Sequence, residues 1–168
     1  MNYEVIYKKR KTVTISVKNA TVTVKAPIGF PIEKIEALVK KHERWISSRL
    51  QKDKQIIEKE ALITPDLEKR LRTEARAYFK KKMDEFADLM GAKYQRLTIT
   101  GAKTRFGSCS SKGNISFSFR LMLYPEPARE YVVVHELAHL FEMNHSKQFY
   151  QIVEKYIPDY KERKKLLI

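Results

Sequence analysis

The residues with the most chemistry to offer stand together near the C-terminus, in His135-Glu136-Leu137-Ala138-His139 followed by Leu140-Phe141-Glu142-Met143-Asn144-His145. His135 and His139 are four apart, so on an α-helix they project from one face. Neutral imidazoles so placed can each bind a zinc ion at about 2.0–2.1 Å. Glu136, beside the first imidazole, can reach a water on that metal and act as its general base rather than as a ligand. His145, six residues after His139, offers a third imidazole. Three of the four histidines fall in this stretch, and the apolar run Tyr131-Val132-Val133-Val134 before it implies a partly buried helix. Buried imidazoles need a shared partner to offset lost hydration. The expectation is a catalytic zinc site with His135, His139 and His145 as ligands and Glu136 as acid/base. The alternative is an amphipathic helix with its histidines on a wet face.

The chain must turn between His139 and His145. The pattern H-E-x-x-H-x-x-G-x-x-H has the same spacing and uses its glycine to leave the helix. Here Glu142 holds the glycine position, and no methionine follows His145 to make a Met-turn. That excludes the metzincin solution. Asn144, tolerant of the left-handed conformation, is expected to make the turn, and Ser146 to N-cap a new helix.

These residues need elements to position them. A strand at Tyr3–Lys8 precedes a hairpin in which Val13, Ile15 and Val17 alternate, then Val22 and Val24, with Asn19-Ala20 between. Pro31 opens a helix with apolar residues from Ile32 to Leu50 at helical spacing, and the polar residues 51–63 read as a connection. Thr64-Pro65 starts a second helix, apolar at Leu67, Leu71, Ala75, Tyr78, Phe79, Met83, Phe86 and Met90 and stopped by Gly91. Leu97–Thr100 is a short strand. Thr104 to Leu123 reads as a hairpin turning at Ser110–Asn114. Pro125 and Pro127 lead into the histidine helix, and the tail from Ser146 is helical, with a break at Pro158-Asp159.

The fold class expected is α+β and zincin-like: N-terminal strands, two long helices, an antiparallel sheet beside the H-E-x-x-H helix and a helical C-terminus. A strand lining such a cleft can take up an extended peptide. The run Ile115–Leu123 is either that edge strand or an ordinary half-buried one. Residues 1–60 form a strand–helix part and 61–168 the site-bearing core, read as one continuous domain.

The net charge of +14 is uneven. Residues 1–104 carry 24 Lys and Arg against 13 acids, residues 105–160 carry six of each, and the last eight residues supply the remaining +3. The basic N-terminal half could attract nucleic acid or another polyanion, or merely keep a solvated face. One cysteine excludes an internal disulfide framework. No apolar run approaches the about 18 residues of a membrane span, and the charged start is unlike a signal peptide. A soluble cytoplasmic protein is expected, with no membrane partner.

Four segments together carry a family resemblance: Thr104-Arg105-Phe106-Gly107-Ser108-Cys109-Ser110-Ser111-Lys112-Gly113-Asn114-Ile115, Val133-Val134-His135-Glu136-Leu137-Ala138-His139, Met143-Asn144-His145-Ser146, and Tyr156-Ile157-Pro158-Asp159-Tyr160-Lys161-Glu162-Arg163. The chain resembles the YgjP-type metal-dependent hydrolases, relatives of the SprT and WLM zincin-like peptidases. Phe106 stands where that family usually has Trp, so an aromatic is kept and an indole N–H is lost. The resemblance implies zinc on His135, His139 and His145, with Glu136 as the catalytic acid/base.

It leaves the substrate open. A metallopeptidase attacking a peptide bond is the first reading, and a nucleoside-triphosphate pyrophosphohydrolase the second, since some family members are so described. A polyphosphate would need cations near the metal. Arg105 and Lys112 in the serine-rich loop and Arg120 beyond it are the candidates, with Ser108 in the same loop as a further substrate contact. A third reading is a basic nucleic-acid-binding module with structural zinc, which would require a fourth protein ligand. Cys109 has no histidine left to activate it and reads as a packed thiol.

Overall fold

The alternating valines of the N-terminus pair as two antiparallel strands, β2 (Thr14–Lys18) and β3 (Thr21–Pro27). Between them Asn19 and Ala20 have φ of 51° and 55°. Two successive left-handed residues match the right-handed twist of a hairpin. β1 (Glu4–Lys8) lies parallel to the other side of β3, giving the order β1-β3-β2. One face of β3 buries Val22, Val24 and Ala26 against Ile35 and Val39 of α1 (Ile32–Lys41) and Ile46 of α2 (Glu43–Ala61). The helix expected from Pro31 to Leu50 is thus two, broken at His42 (φ −102°, ψ 12°). Residues 51–61, expected as a connection, continue α2. Their Gln, Lys, Glu and Ala side chains are good helix formers and no Gly or Pro interrupts them. Polarity there marks a solvated helix.

The computed structural model describes residues 2–167, which fall into two compact units divided between Ile63 and Thr64. The second opens with α3 (Pro65–Met90). The Thr64 hydroxyl accepts from the Leu67 N–H at 3.2 Å, and Gly91 ends the helix at φ 66°. α3 buries Leu71, Ala75, Phe79, Met83, Ala87 and Met90 along one stripe. Its Phe79 stacks on Phe117, ring centroids 4.6 Å apart, in the sheet of β4 (Arg96–Thr100), β5 (Gly107–Cys109) and β6 (Asn114–Ser118).

Two details of this sheet depart from expectation. It is mixed, because β4 runs parallel to β6 while β5 is antiparallel. The run Ile115–Leu123 is also not an edge strand, because β6 is central and ends at Ser118. There the Ser118 hydroxyl donates to the Ala102 carbonyl at 2.7 Å and accepts from the Arg120 N–H at 3.3 Å. That turns Phe119–Leu123 into a 3₁₀ helix. Alternation of apolar and polar residues persists through Leu121, so the sequence pattern does not mark the change. The class is α+β.

The histidine helix is α4 (Glu126–Ala138), followed by α5 (Lys147–Tyr156) and α6 (Tyr160–Lys165). Among the described residues no helix is long and apolar enough to cross a membrane. A charged brace ties α4 to its neighbours. Glu130 accepts from Lys82 Nζ of α3 and from Arg163 Nη1 of α6, each at 2.8 Å. Burial works to raise the Glu130 carboxyl, but the bonds from Lys82 and Arg163 outweigh it and hold it below the usual range. A carboxyl held low in the folded state stabilises fully above its unfolded value, and that stabilisation is lost as pH falls through the folded value. Glu130→Gln should therefore cost about 1–2 kcal/mol at neutral pH. Thermal melts of the two proteins should converge below the ordinary glutamate range; a gap that persists in acid would show that the charge is not the cause.

Candidate metal centre

α4 delivers a buried polar face from an otherwise apolar helix. Ala128, Tyr131, Val132, Val133, Val134, Leu137 and Ala138 are buried, and among them Glu136 is only 5 % exposed. His135 sits in the last turn, and His139 is the C-cap residue, 8 % exposed. The chain then tightens: Leu140 N–H donates to Leu137, and both Phe141 and Glu142 N–H donate to Ala138, each at 3.0 Å. Asn144 does not make a left-handed turn; among the described non-glycine residues only Asn19 and Ala20 have positive φ. Glu142 does the work instead. Its carboxylate accepts from the Asn144 N–H at 3.1 Å, and the Ser146 N–H donates to the Asn144 carbonyl at 2.8 Å. A side-chain acceptor thus replaces the conformational freedom of glycine. Ser146 caps α5, its hydroxyl accepting from the Phe149 N–H at 3.2 Å.

The result brings His135, His139 and His145 together, with one ring nitrogen from each lying within 4.8 Å of the others. The Nε2 atoms of His135 and His145 are 3.0 Å apart. Phe149, fully buried, floors the cluster, its ring 4.8, 4.5 and 4.9 Å from the rings of His135, His139 and His145. On the outer side, His139 Nδ1 faces the Glu142 carbonyl at 3.1 Å and His135 Nδ1 faces the Tyr131 hydroxyl at 3.4 Å. Facing a carbonyl, His139 Nδ1 must carry the proton, which leaves its Nε2 lone pair free, the tautomer that metal ligation needs.

The electrostatics agree. Burial, then the neighbouring His139 and His145 and the Lys164 charge, push His135 down to about 3. Burial also lowers His139, against the pull of the Glu142 carbonyl. Imidazoles that burial keeps neutral, as at His135 and His139, suit a borderline metal such as zinc. Burial drives Glu136 up to about 8, opposed by the Arg105 charge. No hydrogen-bond donor among the described residues reaches its carboxylate. A buried carboxylate left unpaired is costly, and it suits a group meant to exchange a proton.

Strand β5 closes the other side of Glu136. A Cβ at Gly107 would stand 2.5 Å from Glu136 Oε1 and 2.8 Å from its Cγ. The backbone of β5 therefore packs directly on the glutamate. Phe106, before it, packs edge-on against Tyr124 at 4.9 Å. Arg105 is exposed, close enough for its charge to act on Glu136. The Ser108 hydroxyl shares a 2.8 Å hydrogen bond with that of Ser116. Lys112 is exposed in the β5–β6 turn. Arg120 lies on the 3₁₀ helix, its Nη1 donating to the Gly101 carbonyl at 2.7 Å and its guanidinium 4.5 Å over Phe119. Cys109 is outside the histidine cluster, its thiol raised to about 11 by burial and by Glu136.

Sequence reasoning passed over Gly107, Tyr131 and Phe149. Tyr131 was within reach, being four residues before His135 on the same helix. Phe149 and Gly107 meet the cluster only through tertiary packing.

With fold and cluster described, comparisons place the chain. The family described as YgjP-like, metallopeptidase domain, matches residues 11–66 and 55–168, and the chain belongs to that family. It is thereby a metallopeptidase-type hydrolase by class. No curated protein matches the chain. Among solved structures it is similar to the metallopeptidase zymogen of Pyrococcus abyssi abylysin, at 26 % identity over 53 % of this chain and 90 % of that one, with a TM-score of 0.49.

Gly107→Ala should displace the Glu136 carboxylate while leaving the three imidazoles in place. Overpacking of this kind costs about 1–3 kcal/mol. Metal titration should still give one equivalent bound, alongside a lower melting temperature; unchanged stability would mean that β5 does not press on Glu136.

Proposed function

We propose that the chain is a zinc-dependent peptidase in which His135, His139 and His145 hold the metal and Glu136 moves the proton. One observation carries this reading: three imidazoles converge beside a buried carboxylate. Zinc held there would supply Lewis acidity toward the peptide carbonyl and acidify water. Glu136 would take the proton from the attacking water on a carboxylate oxygen and deliver it to the departing amine nitrogen. Gly107 would hold the carboxylate against β5, and Tyr131 and the Glu142 carbonyl would hold the imidazoles. β5 is an edge strand beside Glu136, so an extended substrate could align along its free side.

A nucleoside-triphosphate pyrophosphohydrolase is the second reading, favoured by the Arg105 charge beside Glu136, with Lys112 and Ser108 nearby in sequence. Arg120 supports it less, being committed to the Gly101 carbonyl and Phe119. Nucleic-acid binding around structural zinc is weaker, because the cluster offers three protein ligands where closed structural sites use four.

A side-by-side screen of an unstructured-peptide library and a nucleotide panel decides between these. Zinc-loaded protein should cleave peptides, and Glu136→Gln should lower the rate by about 10²–10⁴-fold while binding one zinc. Chelation should abolish cleavage and zinc should restore it. Phosphate or pyrophosphate release with inert peptides would install the second reading.

A further inference from the structure

Beside the histidine cluster stands a row of tyrosines that ends in a lysine. Tyr131 stacks on Tyr160, ring centroids 6.4 Å apart, and Tyr160 on Tyr150 at 5.7 Å. Tyr150 reaches back to within 6.3 Å of the His145 ring. Lys164 Nζ stands 5.9 Å from the Tyr150 ring centroid. The other cations of α6 are differently placed. Arg163 is paired with Glu130 and Asp159, Lys165 is paired with Glu162, and the Lys161 ammonium lies over Tyr160 at 5.7 Å. Lys164 is exposed and has no carboxylate partner among the described residues.

Charge around the cluster is therefore lopsided. Lys164 stands over Tyr150, whose ring neighbours His145, and Arg105 lies two residues before Gly107, whose backbone meets Glu136, each without an ion pair among the described residues. Glu142, which accepts from the Asn144 N–H, is the acid that acts on His139. Two unpaired cations flank the reactive groups from different elements, one before β5 and one on α6. A cation on a tyrosine platform beside a cleft attracts an anion and repels other cations.

We propose that Lys164, over Tyr150, forms a subsite for a substrate carboxylate beside the scissile bond. This rests on the peptidase reading. Tyr150 supplies an apolar floor for the methylenes of the bound residue, and Lys164 meets its charge. The carboxylate comes either from a Glu or Asp side chain or from a free peptide C-terminus.

Matched peptides that carry Glu, Gln or Lys next to the scissile bond, each with a free or an amidated C-terminus, test the subsite and separate the two sources. Wild type should prefer a carboxylate by roughly tenfold in kcat/KM in one of the two series. Lys164→Gln should flatten that preference and Lys164→Glu should invert it, with one zinc bound and an unchanged melting temperature. Lys161→Glu, an equal change of charge one turn away, should keep the wild-type ratio. Cleavage with the same ratio in wild type and Lys164→Glu would overturn the subsite alone. Zinc-loaded wild type that cleaves none of the peptides would overturn the peptidase reading and the subsite with it.

Discussion

Desolvation of one carboxylate and two imidazoles at the end of an apolar helix is the constraint around which the second unit is arranged. Their position follows from α4: to bury Val132, Val133, Val134 and Leu137, the helix must also carry Glu136 and His139 into the interior. Burial strips these groups of water, and among the described residues no counter-ion lies at hydrogen-bond distance. Every neighbour then has a definable task. Phe149 packs beneath the rings, the Glu142 carbonyl and the Tyr131 hydroxyl meet the Nδ1 atoms of His139 and His135, and β5 contributes backbone where any side chain would collide. Arg105 gives the carboxylate its long-range relief.

The exit from the helix shows how one constraint can be met in two ways. A glycine would turn the chain by adopting a conformation that others avoid. Glu142 turns it by capping an amide two residues on, and its own carbonyl fixes His139. One residue thereby shapes the loop and orients an imidazole of the cluster, which links the position of His145 to the tautomer of His139. The charged brace of Lys82, Glu130 and Arg163 acts one helical turn and more upstream, setting where α4 lies against α3 and α6.

Much of this was legible in the residues themselves. Helical spacing put His135 and His139 on one face, Thr64-Pro65 and Gly91 bounded α3, and Asn19-Ala20 placed the first hairpin. What escaped had physical reasons. Asn144 was credited with a turn that a side-chain acceptor makes, because a glutamate at a glycine position is ambiguous until its partner is known. The polar stretch after Leu50 looked like a linker because solvated helices bury little. The end of β6 at Ser118 was hidden because Phe119 and Leu121 remain buried in the 3₁₀ helix at the same alternation. The parallel pairing of β4 leaves no local trace at all. Gly107 read as part of a motif, while its steric reason lies 29 residues further along the chain.

The strand order has a bearing on assembly. Both sheets are built alike: the last of the three strands is central, the second joins it as a hairpin, and the first lies parallel on the far side. Closing a hairpin links residues a few positions apart, whereas seating the first strand requires a longer loop to close, at greater entropic cost. Local pairing of β5 with β6 thus precedes the seating of β4 on grounds of chain entropy. The backbone that will press on the glutamate belongs to the earlier half, so the wall of the centre is in hand before the sheet beside it is complete.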